Sequence, residues 1–98
     1  MSSAGYWITF YKSVSSPEKL AAYAALALPA ITAGGGTFLV RGTPARVFEA
    51  GVAARTVVIK YASVEAAVAT YSSPAYQAAL AALGDGAERE IRICEGAE

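Results

Sequence analysis

The residues that usually carry acid–base and metal chemistry are scarce in this sequence. Its 98 residues include no histidine and one cysteine, Cys94. Imidazole proton transfer, histidine-activated nucleophiles and histidine metal sites are therefore excluded, and one thiol with dispersed carboxylates does not form a zinc or iron site. We expect no metal. We interpret Cys94 as a plain strand residue, because only Arg92 offers it a nearby cation.

Two arginines and one glutamate are the remaining candidates for catalysis. Arg41 and Arg55 fall at the ends of predicted strands, where a sheet opens to a cleft, and either guanidinium could hold a carboxylate or enolate oxygen. Glu49 is the only acid between Glu18 and Glu65, so it is the best candidate for a general base in a buried site. A surface or interface ion pair remains the alternative for each of the three.

The six tyrosines are candidates for the wall of a binding pocket, because a phenol combines a large apolar ring with one hydroxyl. The candidate ligand-binding residues are Tyr23, Tyr71 and Tyr76 in predicted helices, together with Arg41 and Arg55. Such a wall suits a small, mainly apolar ligand with one or two polar atoms. Packing in the core or in a subunit interface is the alternative for each tyrosine.

Gly34–Gly36 is the one segment that could be taken for a phosphate-binding loop. The spacing and the lysine of a P-loop are missing, and these glycines follow a predicted helix rather than precede one. A helix C-terminus followed by a turn explains them better. We therefore expect no cofactor.

Hydrophobic periodicity and turn residues predict five strands and three helices that would position these candidates. The predicted strands are Tyr6–Tyr11, Thr37–Arg41, Arg46–Ala50, Arg55–Tyr61 and Glu88–Cys94. The first helix begins at Ser15 or Ser16 and ends at Gly34, with a kink or break expected near Leu28 because Pro29 has no amide hydrogen. Ser63 begins a second helix, and Ser72-Ser73-Pro74 ends it and begins a third.

This order of elements is the ferredoxin-like βαββαβ pattern of an α+β protein, with a small extra hairpin that includes Arg46–Ala50. The helices of such a fold cover one face of the sheet. The first strand, however, is apolar on both faces, with Trp7 and Tyr11 on one and Ile8 and Phe10 on the other. We expect the sheet of a second copy to cover the second face, giving a dimeric α/β barrel, and residues 1–98 to form a single domain.

The composition supports an apolar subunit contact and argues against charged partners. Hydrophobic residues make up 55% of the chain and charged residues 16%, which again favours a homodimer. Eight basic and eight acidic residues cancel, so no positive field is available for nucleic acid. The chain lacks an apolar run of the roughly 20 residues that span a membrane and the pattern of a secretory signal. The cytoplasm is the predicted location, with neither nucleic acid nor membrane as partner.

A set of short segments resembles a known family. They are Tyr6-Trp7-Ile8, Tyr23, Gly34-Gly35, Phe38–Gly42, Val47-Phe48-Glu49, Arg55–Ile59, Ser63–Ala67 and Tyr71–Gln77. From Tyr6 to about Gly96 the chain resembles the domain-of-unknown-function 1330 family, within the dimeric α/β-barrel superfamily. The resemblance implies a ferredoxin-like protomer and a homodimer. It implies no particular reaction, since the superfamily includes cofactor-free monooxygenases, isomerases and members without known activity.

The sequence departs from that family's pattern at three places. Ala33 stands where relatives commonly carry a histidine, Tyr61-Ala62 replaces Phe-Pro, and Thr70 replaces a frequent tryptophan. Loss of the histidine argues against an inherited acid–base activity. Two functions stay open: a site that binds or transforms a small apolar, aromatic or keto metabolite without metal or cofactor, and a non-catalytic dimeric structural or interaction module. The sequence does not decide whether the protein is an enzyme.

Overall fold

Four strands and three helices make up the computed structural model, which describes residues 3–97. The elements are β1 (Gly5–Val14), α1 (Pro17–Ala33), β2 (Thr37–Gly42), β3 (Thr56–Tyr61), α2 (Val64–Ser72), α3 (Pro74–Leu83) and β4 (Ala87–Glu95). The strands form one antiparallel sheet in the order β2-β3-β1-β4. This is an α+β ferredoxin-like fold, and it confirms the fold predicted from the order of elements.

A serine hydroxyl begins each helix, as the sequence pattern predicts. Ser16, rather than Ser15, accepts a hydrogen bond from the Lys19 amide at 3.2 Å. Ser63 and Ser73 each accept a hydrogen bond from the amide three residues further on. Among the described residues, no helix combines the length and the apolar composition that crossing a bilayer requires.

The sequence predicts a kink or a break near Leu28, and the structure shows that the helix does not break there. Helix α1 continues through Pro29 and ends at Ala33. A proline in a helix interior removes one backbone hydrogen bond and crowds the preceding turn. Because α1 packs along α3, this tertiary contact outweighs the local loss.

The sheet has one covered face and one open face. On the covered face, Trp7 and Tyr11 of β1 and Ile59 of β3 join helix residues in the buried core. The residues that alternate with them point to the other side, which the helices leave uncovered. We call this side the open face. Its apolar residues are Tyr6, Ile8, Phe10, Val40 and Val58, and it also carries the charged residues Lys60, Glu90 and Arg92. Phe10 and Val40 are exposed in the single chain.

The predicted strand Arg46–Ala50 does not form, and the extra hairpin is therefore absent. Residues 43–55 connect β2 to β3 as irregular backbone with a turn, in which the Gly51 amide donates to the Phe48 carbonyl at 2.9 Å. Glu49 has a φ of 53°, a left-handed conformation that a strand does not contain. Pro44, with no amide hydrogen, also suits a connection better than a strand.

Candidate functional site

A cavity of about 270 Å³ lies between α1 and the covered face of the sheet. Helix α1 contributes an apolar wall that includes Leu28 and Ile31, and the strands contribute Trp7 and Ile59. The cavity forms because α1 packs mainly on α3 rather than directly on the strands. Such a space, enclosed by apolar side chains, can hold a compact ligand.

Three arginines line this otherwise apolar cavity: Arg41 from β2, Arg55 just before β3, and Arg89 from β4. Strand pairing places Arg55 and Arg89 on either side of Tyr11. The Tyr11 amide donates to the Arg55 carbonyl at 3.0 Å, and Tyr11 pairs with Arg89 of the neighbouring strand. Their guanidinium carbons lie 5.9 Å and 5.7 Å from the centre of the Tyr11 ring, respectively. Both cations therefore flank the same aromatic side chain.

No carboxylate is found among the residues that line the cavity. The ion pairs within residues 3–97 lie elsewhere, between Lys19 and Asp85 and between Arg92 and Glu90. The three guanidinium groups thus border a mainly apolar cavity without a carboxylate in its lining, with Arg89 half-buried and Arg41 and Arg55 exposed. This arrangement gives the cavity a positive electrostatic character.

Arg89 anchors a chain of phenols at the wall of the cavity. Its two Nη atoms donate to the hydroxyls of Tyr76 at 3.2 Å and Tyr11 at 3.4 Å, and its guanidinium lies 4.4 Å from the centre of the Tyr23 ring. The hydroxyls of Tyr23 and Tyr76 are 2.7 Å apart. Arg89 therefore holds three tyrosines from β1, α1 and α3 in one network.

Burial sets the protonation of this network. Burial and the adjacent Tyr23 phenol raise the pKa of Tyr76 far above its ordinary value, although Arg89 lowers it in part. Burial lowers the pKa of Arg89, but the neighbouring phenols, Tyr23 first, raise it by more. Tyr76 therefore stays a neutral phenol and Arg89 stays a cation near neutral pH.

The structure brings three of the candidate residues together. Tyr23, Arg41 and Arg55 all line the cavity. Tyr76 lies behind the wall with no exposed surface, and its hydroxyl bonds to two residues that line the cavity, Tyr23 and Arg89. Tyr71 packs against the Trp7 and Tyr76 rings at centroid distances of 5.6 Å and 5.2 Å and borders a separate groove beside β4.

Glu49, the candidate general base, lies outside the cavity. It is exposed in the connection between β2 and β3 and is not among the residues that line the arginine-rich space. The general-base interpretation therefore has no support from the geometry.

Arg89 is the site residue that the sequence interpretation missed. A signal for it was present, because Arg89 alternates with Ile91 and Ile93, which were predicted to point inward on β4. An arginine that shares the inward side of a strand with two isoleucines is either a structural cation or a ligand-binding cation. The same alternation places Thr9 beside Trp7 and Tyr11 on β1.

Tyr61 carries a buried hydroxyl that lies apart from this network. Among the described residues, this hydroxyl has no hydrogen-bond partner. Burial raises the pKa of Tyr61, and the nearby Thr70 hydroxyl lowers it in part. The Thr70 hydroxyl donates its own hydrogen bond to the Ala66 carbonyl at 3.0 Å. Tyr61 is a core residue that stacks on Trp7.

Comparison with solved structures places this fold among ferredoxin-like proteins. The RPA0582 protein of unknown function from Rhodopseudomonas palustris is 15% identical, with a TM-score of 0.74 over 100% of this chain and 85% of that chain. SnoaB, a cofactor-independent oxygenase from Streptomyces nogalater, is 14% identical, with a TM-score of 0.62 over 100% and 96% of the chains, respectively. A dimeric ferredoxin-like protein of unknown function from Thermobifida fusca is 15% identical, with a TM-score of 0.56 over 98% and 93%.

Within this class, the chain belongs to the family described as a domain of unknown function, DUF1330, which matches residues 4–97. The family predicted from the sequence segments is thereby confirmed. Comparison with curated protein sequences finds no match.

Proposed function

We propose that the protein is a homodimer in which each cavity binds a compact, mainly apolar metabolite that carries an anionic oxygen, such as a carboxylate or an enolate. The observation that carries this proposal is the convergence of Arg41, Arg55 and Arg89 on one apolar cavity whose lining includes no carboxylate. An aromatic or keto acid has the chemistry that this site fits.

Arg89 is partly buried and has no carboxylate partner among the described residues, whereas Arg41 and Arg55 are exposed residues of the cavity lining. A guanidinium removed from water and left without a counterion is unfavourable, and a bound anion relieves this cost. Arginine also binds a carboxylate through two parallel hydrogen bonds, which are shorter and stronger than those between neutral groups. The body of the ligand would lie against Trp7, Ile31 and Ile59, all of which line the cavity.

The size of the cavity limits the ligand to about one ring or a short chain. Its volume of about 270 Å³ lies near the lower end of the range of roughly 300–1,000 Å³ for ligand pockets. A large polycyclic molecule would need α1 to move away from the sheet. The proposal is therefore a small acid rather than an extended one.

The proposal extends to binding and to stabilisation of an anion, and not to a particular reaction. Among the described lining residues there is no carboxylate, imidazole or amine to take a proton from a ligand. Arginines at a developing enolate would nevertheless favour its formation from a substrate that ionises readily. The likeness to SnoaB, described as a cofactor-independent oxygenase, is compatible with such a substrate.

The homodimer rests on the open face. Phe10 on this face borders the same groove as Phe48 and Val52 of the β2–β3 connection, which are 76% and 71% exposed. A single chain would leave these apolar side chains in water, beside charged residues of the same groove such as Glu90 and Arg92, and the sheet of a second copy would bury them. The Thermobifida fusca neighbour, described as dimeric, supports a homodimer. The cytoplasm remains our proposed location, on the composition arguments given above.

A non-catalytic dimeric module is the second candidate. It is favoured by the same exposed apolar surface, which explains dimerisation without any ligand. The two candidates differ in the cavity, since a module that only assembles does not need three arginines in the lining of a mainly apolar cavity.

A thermal-shift screen of small acids tests the proposal. A ligand that binds only the native state stabilises it by about 2.7 kcal/mol at a concentration of 100 times its Kd. We expect compact aryl and keto acids such as benzoate and phenylpyruvate to raise the Tm, and Arg89→Met or Arg55→Met to remove the increase. Arg46→Met is the matched control, because Arg46 lies outside the cavity. A Tm that no acid raises would favour the non-catalytic module.

A further inference from the structure

Three hydroxyls at the wall of the cavity already accept hydrogen bonds from inside the protein. Thr9 accepts from the Trp7 indole Nε1 at 3.0 Å, and Tyr11 accepts from Arg89 at 3.4 Å. Tyr23 forms its hydrogen bond with Tyr76 at 2.7 Å. The indole and the guanidinium can only donate, so the direction of the first two bonds is certain.

The direction of the Tyr23–Tyr76 hydrogen bond follows from the donors and acceptors that surround Tyr76. Arg89 donates to the Tyr76 oxygen, so the proton of Tyr76 must find an acceptor of its own. Tyr76 has no exposed surface, and within residues 3–97 the Tyr23 oxygen is the acceptor in reach. An unsatisfied buried hydroxyl is costly. Tyr76 therefore donates, and Tyr23 accepts.

The protons of these three hydroxyls are consequently available to donate hydrogen bonds to a ligand in the cavity. Thr9, Tyr11 and Tyr23 are all buried residues that line it. In the part of the chain that the structure describes, none of the three donates to another protein group. The arginines add further N–H donors and no acceptor. The polar groups of the wall therefore offer donors.

We infer that the cavity selects a ligand whose polar end only accepts hydrogen bonds, an ionised carboxylate, with Tyr23 as a specificity-determining donor and Tyr76 as the positioning residue that orients it. This inference rests on the proposed function and adds to it the reason why the cavity prefers a carboxylate to a group that donates hydrogen bonds. A carboxylate satisfies the free hydroxyl protons, whereas a group that donates leaves them unpaired. A carboxamide or amidinium of the same shape is therefore rejected.

Isothermal titration of the full chain with three matched probes tests this inference. Benzoate, benzamide and benzamidine share a ring and a planar head group but differ in their donors and acceptors. We expect benzoate to bind at least tenfold more tightly than either of the others. Tyr23→Phe should reduce the preference for benzoate over benzamide about three- to tenfold, which corresponds to the loss of one hydrogen bond.

Tyr76→Phe distinguishes a positioning role from a contact. We expect it to reduce the same preference, and the double variant Tyr23→Phe/Tyr76→Phe to reduce it by less than the product of the two single effects, since Tyr76 orients Tyr23 as well as accepting from Arg89. Tyr61→Phe is the matched control, because it removes a buried tyrosine hydroxyl that does not line the cavity. Its preference for benzoate should equal that of the unmodified chain.

The outcomes separate this inference from the proposed function. If benzoate binds and Arg89→Met abolishes binding, but benzamide binds equally well or Tyr23→Phe leaves the preference unchanged, the inference is wrong and the anion site stands. If benzoate does not bind at millimolar concentration, or binds independently of the arginines, the anion site is wrong and the inference fails with it.

Discussion

The hydroxyl oxygens of Tyr23 and Tyr76 lie 2.7 Å apart and join α1 to α3 at the wall of the cavity. Their rings meet edge to face, with centroids 5.9 Å apart. Arg89 continues the network from β4 by donating to Tyr76. One hydrogen-bonded chain therefore links the sheet to two helices, and it should contribute to stability as well as to ligand selection.

The first prediction concerns this pair. Tyr23→Phe leaves the buried Tyr76 proton without an acceptor, although the Tyr76 oxygen still accepts from Arg89. We expect the free energy of unfolding to fall by about 1–2 kcal/mol, measured by urea denaturation at fixed protein concentration. An unchanged midpoint and slope would show that the Tyr76 proton has another acceptor.

Tyr61→Phe should behave in the opposite way. The Tyr61 hydroxyl is buried without a partner among the described residues, so its removal eliminates an unfavourable burial and keeps the ring stacked on Trp7. We expect the free energy of unfolding to stay the same or to rise by up to about 1 kcal/mol. Substantial destabilisation in the same urea experiment would mean that this hydroxyl forms a bond in solution.

Two glycines in strands should differ sharply in their tolerance of alanine. A Cβ on Gly5 would clash with the backbone carbonyl of Ser63, whereas a Cβ on Gly42 would meet nothing within 4 Å. We expect Gly5→Ala to cost at least about 1–3 kcal/mol through overpacking against backbone, and Gly42→Ala to be close to neutral. Thermal denaturation of the two variants side by side is the measurement, and equal Tm values would contradict the close approach of β1 and α2.

The Lys19–Asp85 pair gives a pH-dependent prediction. The Lys19 ammonium, 2.5 Å from the Asp85 carboxylate, lowers the pKa of Asp85 below its ordinary value. A pKa that is lower in the folded state contributes stability above the unfolded pKa, and this contribution is lost as the pH falls through the folded pKa. We expect NMR titration to show a low midpoint for Asp85 that rises in Lys19→Met. Because both side chains are well exposed, added salt should weaken the effect.

The open face gives the prediction on assembly. Phe10→Asp places a charge on the surface that a second copy would bury, and we expect it to shift the protein from dimer to monomer in sedimentation at micromolar concentration. Leu26→Asp is the matched control, since Leu26 is an exposed leucine on α1, away from the open face. A monomeric unmodified chain, or loss of the dimer in both variants, would contradict the proposed interface.

Local signals in the sequence were sufficient for most of the elements. Serines at the helix starts, paired with apolar periodicity, predict α2 and α3 because capping and amphipathicity act over a few residues. The segment Arg46–Ala50 looks like a strand by composition, yet a strand exists only where another strand pairs with it. At the β2 edge no such partner is present in residues 3–97, and a left-handed Glu49 ends any extended run.

The candidate site was predictable in part. Arg41 and Arg55 reach the cavity because they flank the connection between two neighbouring strands, a position that strand boundaries alone indicate. Glu49 lies outside the cavity because residues 46–50, which the sequence predicts as a strand, do not continue the sheet. Arg89 could have been found from the alternation of β4, but nothing local shows that its partners are Tyr11 and Tyr76.

The amino-acid sequence by itself determined the chemistry that is possible here, since a chain without histidine and with one cysteine limits the polar repertoire to arginines, tyrosines and carboxylates. It also determined the ferredoxin-like order of elements, because periodicity and caps are local properties. Only the tertiary structure decided which of these groups meet. Tyr23 and Tyr76 are 53 residues apart along the chain, and the direction of their hydrogen bond depends on Arg89 from a third element. Convergence of this kind results from the packing of whole helices against a sheet, which no single stretch of sequence encodes.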